Sequence, residues 1–208
     1  MLAQNTLKRA LSLRDEHKAH TERSLRDAAL KLFASQGYDT TTIEEVAEKA
    51  GVSARTFFRY FPTKESVLYL HERLWFQSLT ETFLGQPRAL NDVEALKATL
   101  VELASEFLPK RRALQLYTRV LASSTTLRGR QQDRHEEDIE EIARAVAVRR
   151  GVPAPDEACF LLGAVSLMVH RRALDAWIDD GNIDLGARVA QEFEILAEEF
   201  GQDPRAAR

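Results

Sequence analysis

The chain has 208 residues, of which 44% are hydrophobic and 29% charged, and its formal net charge is −3. A chain of this length buries about 70% of its extended surface on folding, so it can form a core without disulfides or metals. Its single cysteine, Cys159, excludes an intrachain disulfide, and its longest apolar stretch, residues 158–170, is too short to span a bilayer. Charges between Lys8 and Glu16 interrupt any signal peptide, so we expect a cytoplasmic protein without a membrane anchor.

The charge is unevenly distributed along the chain. Residues 1–64 carry a net charge of +3, and the remaining residues carry −6. This distribution is expected of a protein with a small basic domain that contacts DNA and a mildly acidic domain that does not.

Apolar residues recur with the helical period throughout the chain, and alternating β-type runs are missing, which predicts an all-α protein. Residues 1–20 are expected to be a leader or arm that is poorly ordered, and residues 201–208 a tail. Lys8, Arg9 and Arg14 could alternatively form an arm that enters the minor groove of DNA. Nine helices are predicted, at about 21–36, 42–50, 53–61, 64–83, 92–108, 110–123, 127–150, 156–180 and 185–200.

The segment from Ile43 to Phe61 has the spacing of a helix-turn-helix. Such a motif needs a small residue where the helices cross, a residue tolerant of positive φ in the turn, and apolar residues that fix the second helix. Ala47, Gly51, Val52 and Phe57 meet these needs at offsets of 4, 5 and 10. The exposed face of the second helix is then left with polar and basic side chains suited to phosphates and base edges.

The stretch from Ala28 to Leu70 closely resembles the DNA-binding domain of the TetR family of one-component bacterial transcriptional regulators. The resemblance rests on LFASQGY at the end of the first helix, then TTxxxVAxxAGVS, then TFFRYFPTKESVL leading into the fourth helix. It implies an all-α chain in which residues 21–66 form a three-helix helix-turn-helix domain. Residues 67–200 are then expected to form a larger helical domain for effector binding and dimerisation.

The resemblance also implies particular contacts with double-stranded operator DNA. Phe58 stands where a phosphate-binding tyrosine is frequent in the family, and Arg55 stands where a small residue is frequent. A DNA contact of Arg59 is suggested by the chemistry of its side chain. The alternative is that Arg59 is a solvated charge on the helix surface. The expected DNA-binding residues are Thr42, Ser53, Ala54, Arg55, Thr56, Arg59, Tyr60 and Lys64.

The larger domain is expected to hold a small apolar or amphipathic effector. The polar end of that effector could be oriented by Tyr117 or by Arg171 and Arg172. The alternative is that the candidate pocket residues are simply part of the core. The candidate pocket residues are Trp75, Leu79, Phe83, Leu100, Leu103, Phe107, Tyr117, Leu121, Met168 and Trp177.

The last two helices carry apolar and small faces that the resemblance assigns to a four-helix homodimer interface. The alternative is that both faces complete the core of a single chain. The candidate interface residues are Cys159, Gly163, Ser166, His170, Val189, Phe193, Leu196 and Phe200.

Enzymatic motifs are missing from the sequence. It contains no HExxH, ExxH, GxSxG or GxGxxG, so neither a zinc protease, a di-iron bundle, a nucleophile elbow nor a dinucleotide site is indicated. His17 and His20 could bind a metal, but a solvated leader explains them. We therefore expect a non-enzymatic regulator without a cofactor. It is expected to bind a palindromic operator as a homodimer and to repress transcription until an effector releases it. The alternative is an all-helical lipid- or small-molecule-binding protein without operator function.

Overall fold

The computed structural model describes the backbone of residues 2–200 and the side chains of residues 16–68, 75–131 and 133–199. Over that range it contains nine α-helices and no strand, which confirms the all-α prediction. None of the helices described is long and apolar enough to cross a membrane. The α-helices are α1 Leu2–Gln36, α2 Ile43–Lys49, α3 Ala54–Tyr60, α4 Ser66–Gly85, α5 Asp92–Leu103, α6 Arg111–Ser123, α7 Thr125–Arg150, α8 Glu157–Asp179 and α9 Leu185–Phe200, with a 3-10 helix at Ala104–Lys110.

The first helix is longer than the sequence predicts. It begins at Leu2 rather than near Thr21, because no glycine or proline interrupts the chain before Gly37. Thr21 lies within this helix, where its hydroxyl donates to the carbonyl of His17 at 2.9 Å. The backbone of residues 2–20 is therefore helical, and the role of this segment as a leader or arm stays a prediction. The side chains of the proposed basic arm, and the tail at 201–208, lie outside the described residues.

The chain divides into two compact units. The first contains the residues up to 71 together with 115–129, and the second contains 72–114 together with the residues from 130 onward. Helices α4, α6 and α7 each contribute residues to both units. The functional division predicted at residue 66 remains a prediction.

The core of the first unit is built from the apolar faces of α1, α2 and α3. Phe33 and Phe57 are almost fully buried in it, as is Val46 of α2. Val120, Leu121 and Leu127 pack into the same cluster, so the end of α6 and the start of α7 complete this core. The hydroxyl of Ser124, which lies between those two helices, donates to the Asp39 carboxylate at 3.3 Å.

The second unit has a larger core that is formed by α4, α5, α7, α8 and α9. A buried arginine, Arg149 near the end of α7, closes the connection between α4 and α5. Its guanidinium donates to four backbone carbonyls there, including that of Pro87 at 2.7 Å, and lies 3.6 Å from the Asp92 carboxylate. Arg111 has a similar role at the end of α8, where it donates to the carbonyls of Trp177 and Ile178.

Candidate DNA-binding site

Helix α2 begins with a complete capping box, formed by Thr42 and by Glu45 three residues later. The Thr42 hydroxyl accepts from the Glu45 backbone N–H at 3.2 Å, and the Glu45 carboxylate accepts from the Thr42 backbone N–H at 2.8 Å. That backbone hydrogen bond lowers the pKa of Glu45, because it stabilises the ionised carboxylate. The box fixes the start of α2 and leaves the side chain of Thr42 exposed.

The turn between α2 and α3 depends on a glycine. Gly51 has φ of +72°, a conformation that L side chains rarely adopt, and the Val52 N–H donates back to the Ala47 carbonyl at 2.9 Å. A Cβ atom on Gly51 would meet no atom within 4 Å, so the requirement for glycine comes from its backbone conformation rather than from space. The turn sets the direction in which α3 leaves α2.

Helix α3 is capped by Ser53, whose hydroxyl accepts from the Thr56 N–H at 3.2 Å. Phe57 and Phe61 anchor the helix in the core with their ring centroids 5.5 Å apart, and Phe57 is fully buried. Because these two residues face inward, Arg55 and Arg59 are left exposed on the other side. The helix therefore presents two guanidinium groups from a rigid support.

The predicted DNA-binding residues of α3 are brought together on one short helix and its cap. Ser53, Arg55 and Arg59 are exposed, whereas Ala54, Thr56 and Tyr60 are partly buried. The Arg59 guanidinium lies 5.2 Å from the centre of the Tyr60 ring, at the distance of a cation–π contact.

Lys64 has protein partners that the sequence did not indicate. Its ammonium group donates to the carbonyls of Tyr38 at 2.7 Å and Thr41 at 2.9 Å, and it lies 4.2 Å from the centre of the Tyr38 ring. The Tyr38 hydroxyl in turn donates to Glu65 at 3.2 Å. These contacts join the connection between α1 and α2 to the segment that leads into α4, so Lys64 has a structural role. Its contact with DNA stays a prediction.

Phe58 is a surface residue that the sequence interpretation treated only as a lost hydroxyl contact. Its side chain is 52% exposed, and its ring packs edge-on against Phe57 at 5.8 Å. An exposed aromatic ring on α3 offers apolar contact beside the two arginines.

The candidate effector residues do not all lie in one place. Met168 is 45% exposed on α8, and Tyr117 and Leu121 pack with the core of the first unit. The other candidates lie in or against the core of the second unit, and they are Trp75, Leu79, Phe83, Leu100, Leu103, Phe107 and Trp177.

The candidate dimer residues are mostly buried within a single chain. Gly163 explains why, since a Cβ atom there would lie 2.7 Å from the Ile139 carbonyl oxygen, which shows that the small face of α8 is packed against α7. Six of the predicted interface residues therefore have little surface left for a partner, and their place in a dimer interface stays a prediction. Leu196 is partly buried, and the side chain of Phe200 lies outside the described residues. The six buried residues are Cys159, Gly163, Ser166, His170, Val189 and Phe193.

A helix-turn-helix head with an exposed basic helix, joined to a larger helical unit, defines a DNA-binding transcriptional regulator. Comparison with known families is consistent with this class. Residues 25–69 match the family described as bacterial regulatory proteins, tetR family, and residues 90–201 match the MftR C-terminal domain. The chain belongs to the TetR family of transcriptional regulators, and it is a regulator rather than an enzyme.

Individual relatives agree with that assignment. The chain is 32% identical over 155 residues to the HTH-type transcriptional regulator TcmR of Streptomyces glaucescens, a match covering 70% of this chain and 67% of TcmR. It is 24% identical over 191 residues to the putative mycofactocin biosynthesis transcriptional regulator MftR of Mycobacterium tuberculosis, covering 86% and 90% of the two chains. Among solved structures, the TetR-family repressor FadR of Thermus thermophilus, in complex with lauroyl-CoA, aligns with a TM-score of 0.57 and 25% identity, over 85% of this chain and 93% of that one.

Proposed function

We propose that this chain is a homodimeric repressor that binds a palindromic operator through α3 and is released from it by a small apolar effector. The observation that carries the proposal is the recognition helix itself, in which Phe57 and Phe61 are buried while Arg55 and Arg59 are exposed. Arginine contacts both phosphates and the guanine edge in the major groove, so this face suits positioning and base recognition together. We expect the protein to act in the cytoplasm, where the DNA is.

Arg55 is the residue that we expect to read a base. A bidentate arginine–guanine pair contributes roughly 1–3 kcal/mol of discrimination against a wrong base. Arg55→Ala should therefore relax the preference at one position of each half-site. Arg55→Lys retains the charge but loses the planar fork, so it should keep affinity better than it keeps that preference.

The experiment measures binding of the purified protein to the DNA upstream of its own gene by fluorescence anisotropy. Arg55→Ala, Arg55→Lys and the double variant Thr56→Ala/Tyr60→Ala are compared with wild type. Arg144→Ala is the matched control, because Arg144 is an exposed arginine on α7 whose described ion pair is only with Glu140, one turn away. Unchanged operator affinity and base preference in all the α3 variants would count decisively against α3 as the reading helix.

The proposed dimer needs an exposed face, and the outer surface of α8 and α9 provides one. Leu161 and Met168 of α8 are 65% and 45% exposed, and Ile195 of α9 is 42% exposed. Leu161 and Met168 lie seven residues apart, hence on one side of α8. Arg172 joins the two helices by donating to Glu192 at 2.8 Å. Exposed apolar side chains on two helices that contact each other support a helical interface between two copies.

This interface is tested by placing a charge on that exposed face. Leu161→Glu and Met168→Glu should shift sedimentation from dimer to monomer, because an unpaired carboxylate in an apolar contact is costly. Val148→Glu is the control, since Val148 is 61% exposed but lies on α7. A wild-type protein that sediments as a monomer at micromolar concentration would refute the dimer, and with it the reading of two half-sites roughly 34 Å apart.

The apolar and aromatic core of the second unit supports an effector site there. FadR of Thermus thermophilus, similar to this chain over most of its length, was crystallised with lauroyl-CoA, which shows that a related fold accommodates a ligand with a long apolar part. Helix α4 contributes residues to both units of this chain, so we propose that effector binding lowers operator affinity by reorienting α4.

Reciprocity makes this coupling measurable. An effector with a coupling energy of about 1–3 kcal/mol changes operator affinity by roughly 5- to 150-fold, and operator DNA must weaken effector binding by the same factor. Calorimetric titration of an effector with and without operator measures that factor. Equal effector affinities in both titrations would refute the coupling while leaving the DNA-binding proposal intact. A reporter driven by the upstream promoter tests repression, since deletion of the gene should raise expression.

A further inference from the structure

The core of the second unit contains a cluster of aromatic rings around one histidine. The rings of Trp75 on α4 and His170 on α8 are stacked, with their centroids 4.5 Å apart and an angle of 20° between their planes. Phe107, from the 3-10 helix, packs against both rings at 5.2 Å from His170 and 5.9 Å from Trp75. Three separate elements of the fold therefore meet at this point.

Two nitrogen atoms in this cluster are buried without a hydrogen-bond partner among the described residues. They are Nε1 of Trp75 and Nδ1 of His170, a residue that is only 8% exposed. Nearly all buried polar atoms in folded proteins are hydrogen-bonded, because desolvation without a partner is unfavourable. Two such atoms on two stacked rings have hydrogen-bonding capacity that a bound polar group would satisfy.

The charge state of His170 restricts what that group can be. Burial lowers the pKa of His170 to about 4, because the charged imidazolium is poorly solvated in the core. The ring is therefore neutral near pH 7, and each of its nitrogens is either a donor or an acceptor. A neutral histidine and an indole give an anion no charge compensation, so an ionised ligand group would be disfavoured at this position.

We propose that Trp75 and His170 form the polar end of the effector site, and that the effector is a neutral apolar molecule carrying a hydroxyl group. This inference rests on the proposed function of the second unit. The hydroxyl oxygen accepts a hydrogen bond from the Trp75 N–H. Because a hydroxyl both donates and accepts, it can also pair with Nδ1 of His170 in either neutral tautomer. The surrounding aromatic rings supply apolar contact for the body of the ligand.

The test uses three probes of nearly equal size with the full-length protein. They are 2-naphthol, 2-methylnaphthalene and 2-naphthoate, which place a hydroxyl, a methyl and a carboxylate on the same ring system. We expect 2-naphthol to bind about tenfold more tightly than 2-methylnaphthalene, since tenfold corresponds to about 1.4 kcal/mol, the size of a net hydrogen bond. The ammonium of Lys110 lies 5.7 Å from the centre of the Phe107 ring. Binding of 2-naphthoate measures whether this charge makes the site prefer a carboxylate over a hydroxyl.

Two variants remove the nitrogens while retaining an aromatic ring. In Trp75→Phe and His170→Phe, the affinity for 2-naphthol should fall to nearly that for 2-methylnaphthalene, whose own affinity should change little. Loss of packing alone would weaken both probes together, so the preference between them distinguishes hydrogen bonding from a structural effect. His135→Phe, the same substitution on α7 outside the cluster, is the matched control. Either variant suffices if the other does not fold.

Several results would overturn the inference. They are equal affinities of wild type for 2-naphthol and 2-methylnaphthalene, tighter binding of 2-naphthoate, no binding of any probe, or a hydroxyl preference that survives both substitutions. Operator binding measured without probe keeps this failure separate from failure of the proposed function. A protein that binds its operator but lacks the hydroxyl preference refutes only this site. A protein with the preference but no operator binding refutes the proposal that the chain is a repressor acting at this operator.

Discussion

Replacement of Lys64 by methionine tests whether the segment that leads into the fourth helix depends on a partly buried cationic contact. The substitution retains most of the aliphatic chain and removes the ammonium that donates to the carbonyls of Tyr38 and Thr41. It also removes the charge 4.2 Å from the centre of the Tyr38 ring. The perturbation is therefore confined to two hydrogen bonds and one cation–π contact.

The expected cost follows from those contacts. A hydrogen bond that involves a charged group contributes roughly 1.5–3 kcal/mol, and an exposed cation–π contact about 0.5–1 kcal/mol. Because Lys64 is partly exposed, we discount the sum and expect Lys64→Met to lower the free energy of unfolding by about 2–4 kcal/mol. Urea denaturation followed by circular dichroism measures this difference. Lys31→Met is the control, since Lys31 is an exposed lysine on α1.

Operator binding of the same variant distinguishes the structural role from a phosphate contact. An ammonium has three N–H donors, and two of them are used by the carbonyls. If the third reaches a phosphate in each subunit, the slope of log K against log salt should become shallower by about 1.8 for a dimer. An unchanged slope would assign Lys64 a structural role alone. A stability change no larger than that of Lys31→Met would refute the reasoning about these contacts.

Three further outcomes are expected. Arg149→Met should lower the free energy of unfolding by about 3–5 kcal/mol in chemical denaturation, because four backbone carbonyls lose their buried guanidinium donor. Asp92 keeps its ion pair with Arg150, and a cost below about 1 kcal/mol would contradict the expectation. Gly163→Ala should cost about 1–3 kcal/mol in the same assay, since its Cβ would lie 2.7 Å from the Ile139 carbonyl oxygen, and unchanged stability would show that α7 and α8 can separate freely. The unfolded chain binds a proton at His170 below its ordinary pKa of 6.5, whereas the folded chain does so only near 4. Neutral His170 therefore contributes its full share to the free energy of unfolding above pH 6.5. That free energy should fall by about 3 kcal/mol as the pH is lowered from 6.5 to 4. His170→Phe should remove this part of the pH dependence, and an identical pH profile for the variant and wild type would contradict the assignment.

Local features of the first unit could be predicted from the sequence because their causes are local. The capping box of Thr42 and Glu45 and the cap at Ser53 each involve residues only three positions apart. The requirement for glycine at position 51 is likewise a property of one backbone conformation. The same motif was sufficient to identify the family, and the family profile matches residues 25–69 of this chain.

Helix bounds were predicted well where the chain contains a strong stop and poorly where it does not. Gly151 has φ of +73° and follows α7, whose end at Arg150 was predicted. The start of α1 was missed because its extension to Leu2 has no capping or breaking residue to mark it. The helix predicted to continue to Leu108 instead changes at Ala104 into a 3-10 helix that contains Pro109.

The partners of each face were decided only by the tertiary structure. The period of apolar and small residues in α8 predicted a covered face without showing what covers it. In the structure, Gly163 of that face packs against Ile139 of α7. The sequence likewise held no sign that Val120 and Leu127 complete the core of the first unit, or that Lys64 bonds to Tyr38. Periodicity is a property of one helix, whereas burial, hydrogen-bond partners and shifted pKa values depend on which distant segments pack against it.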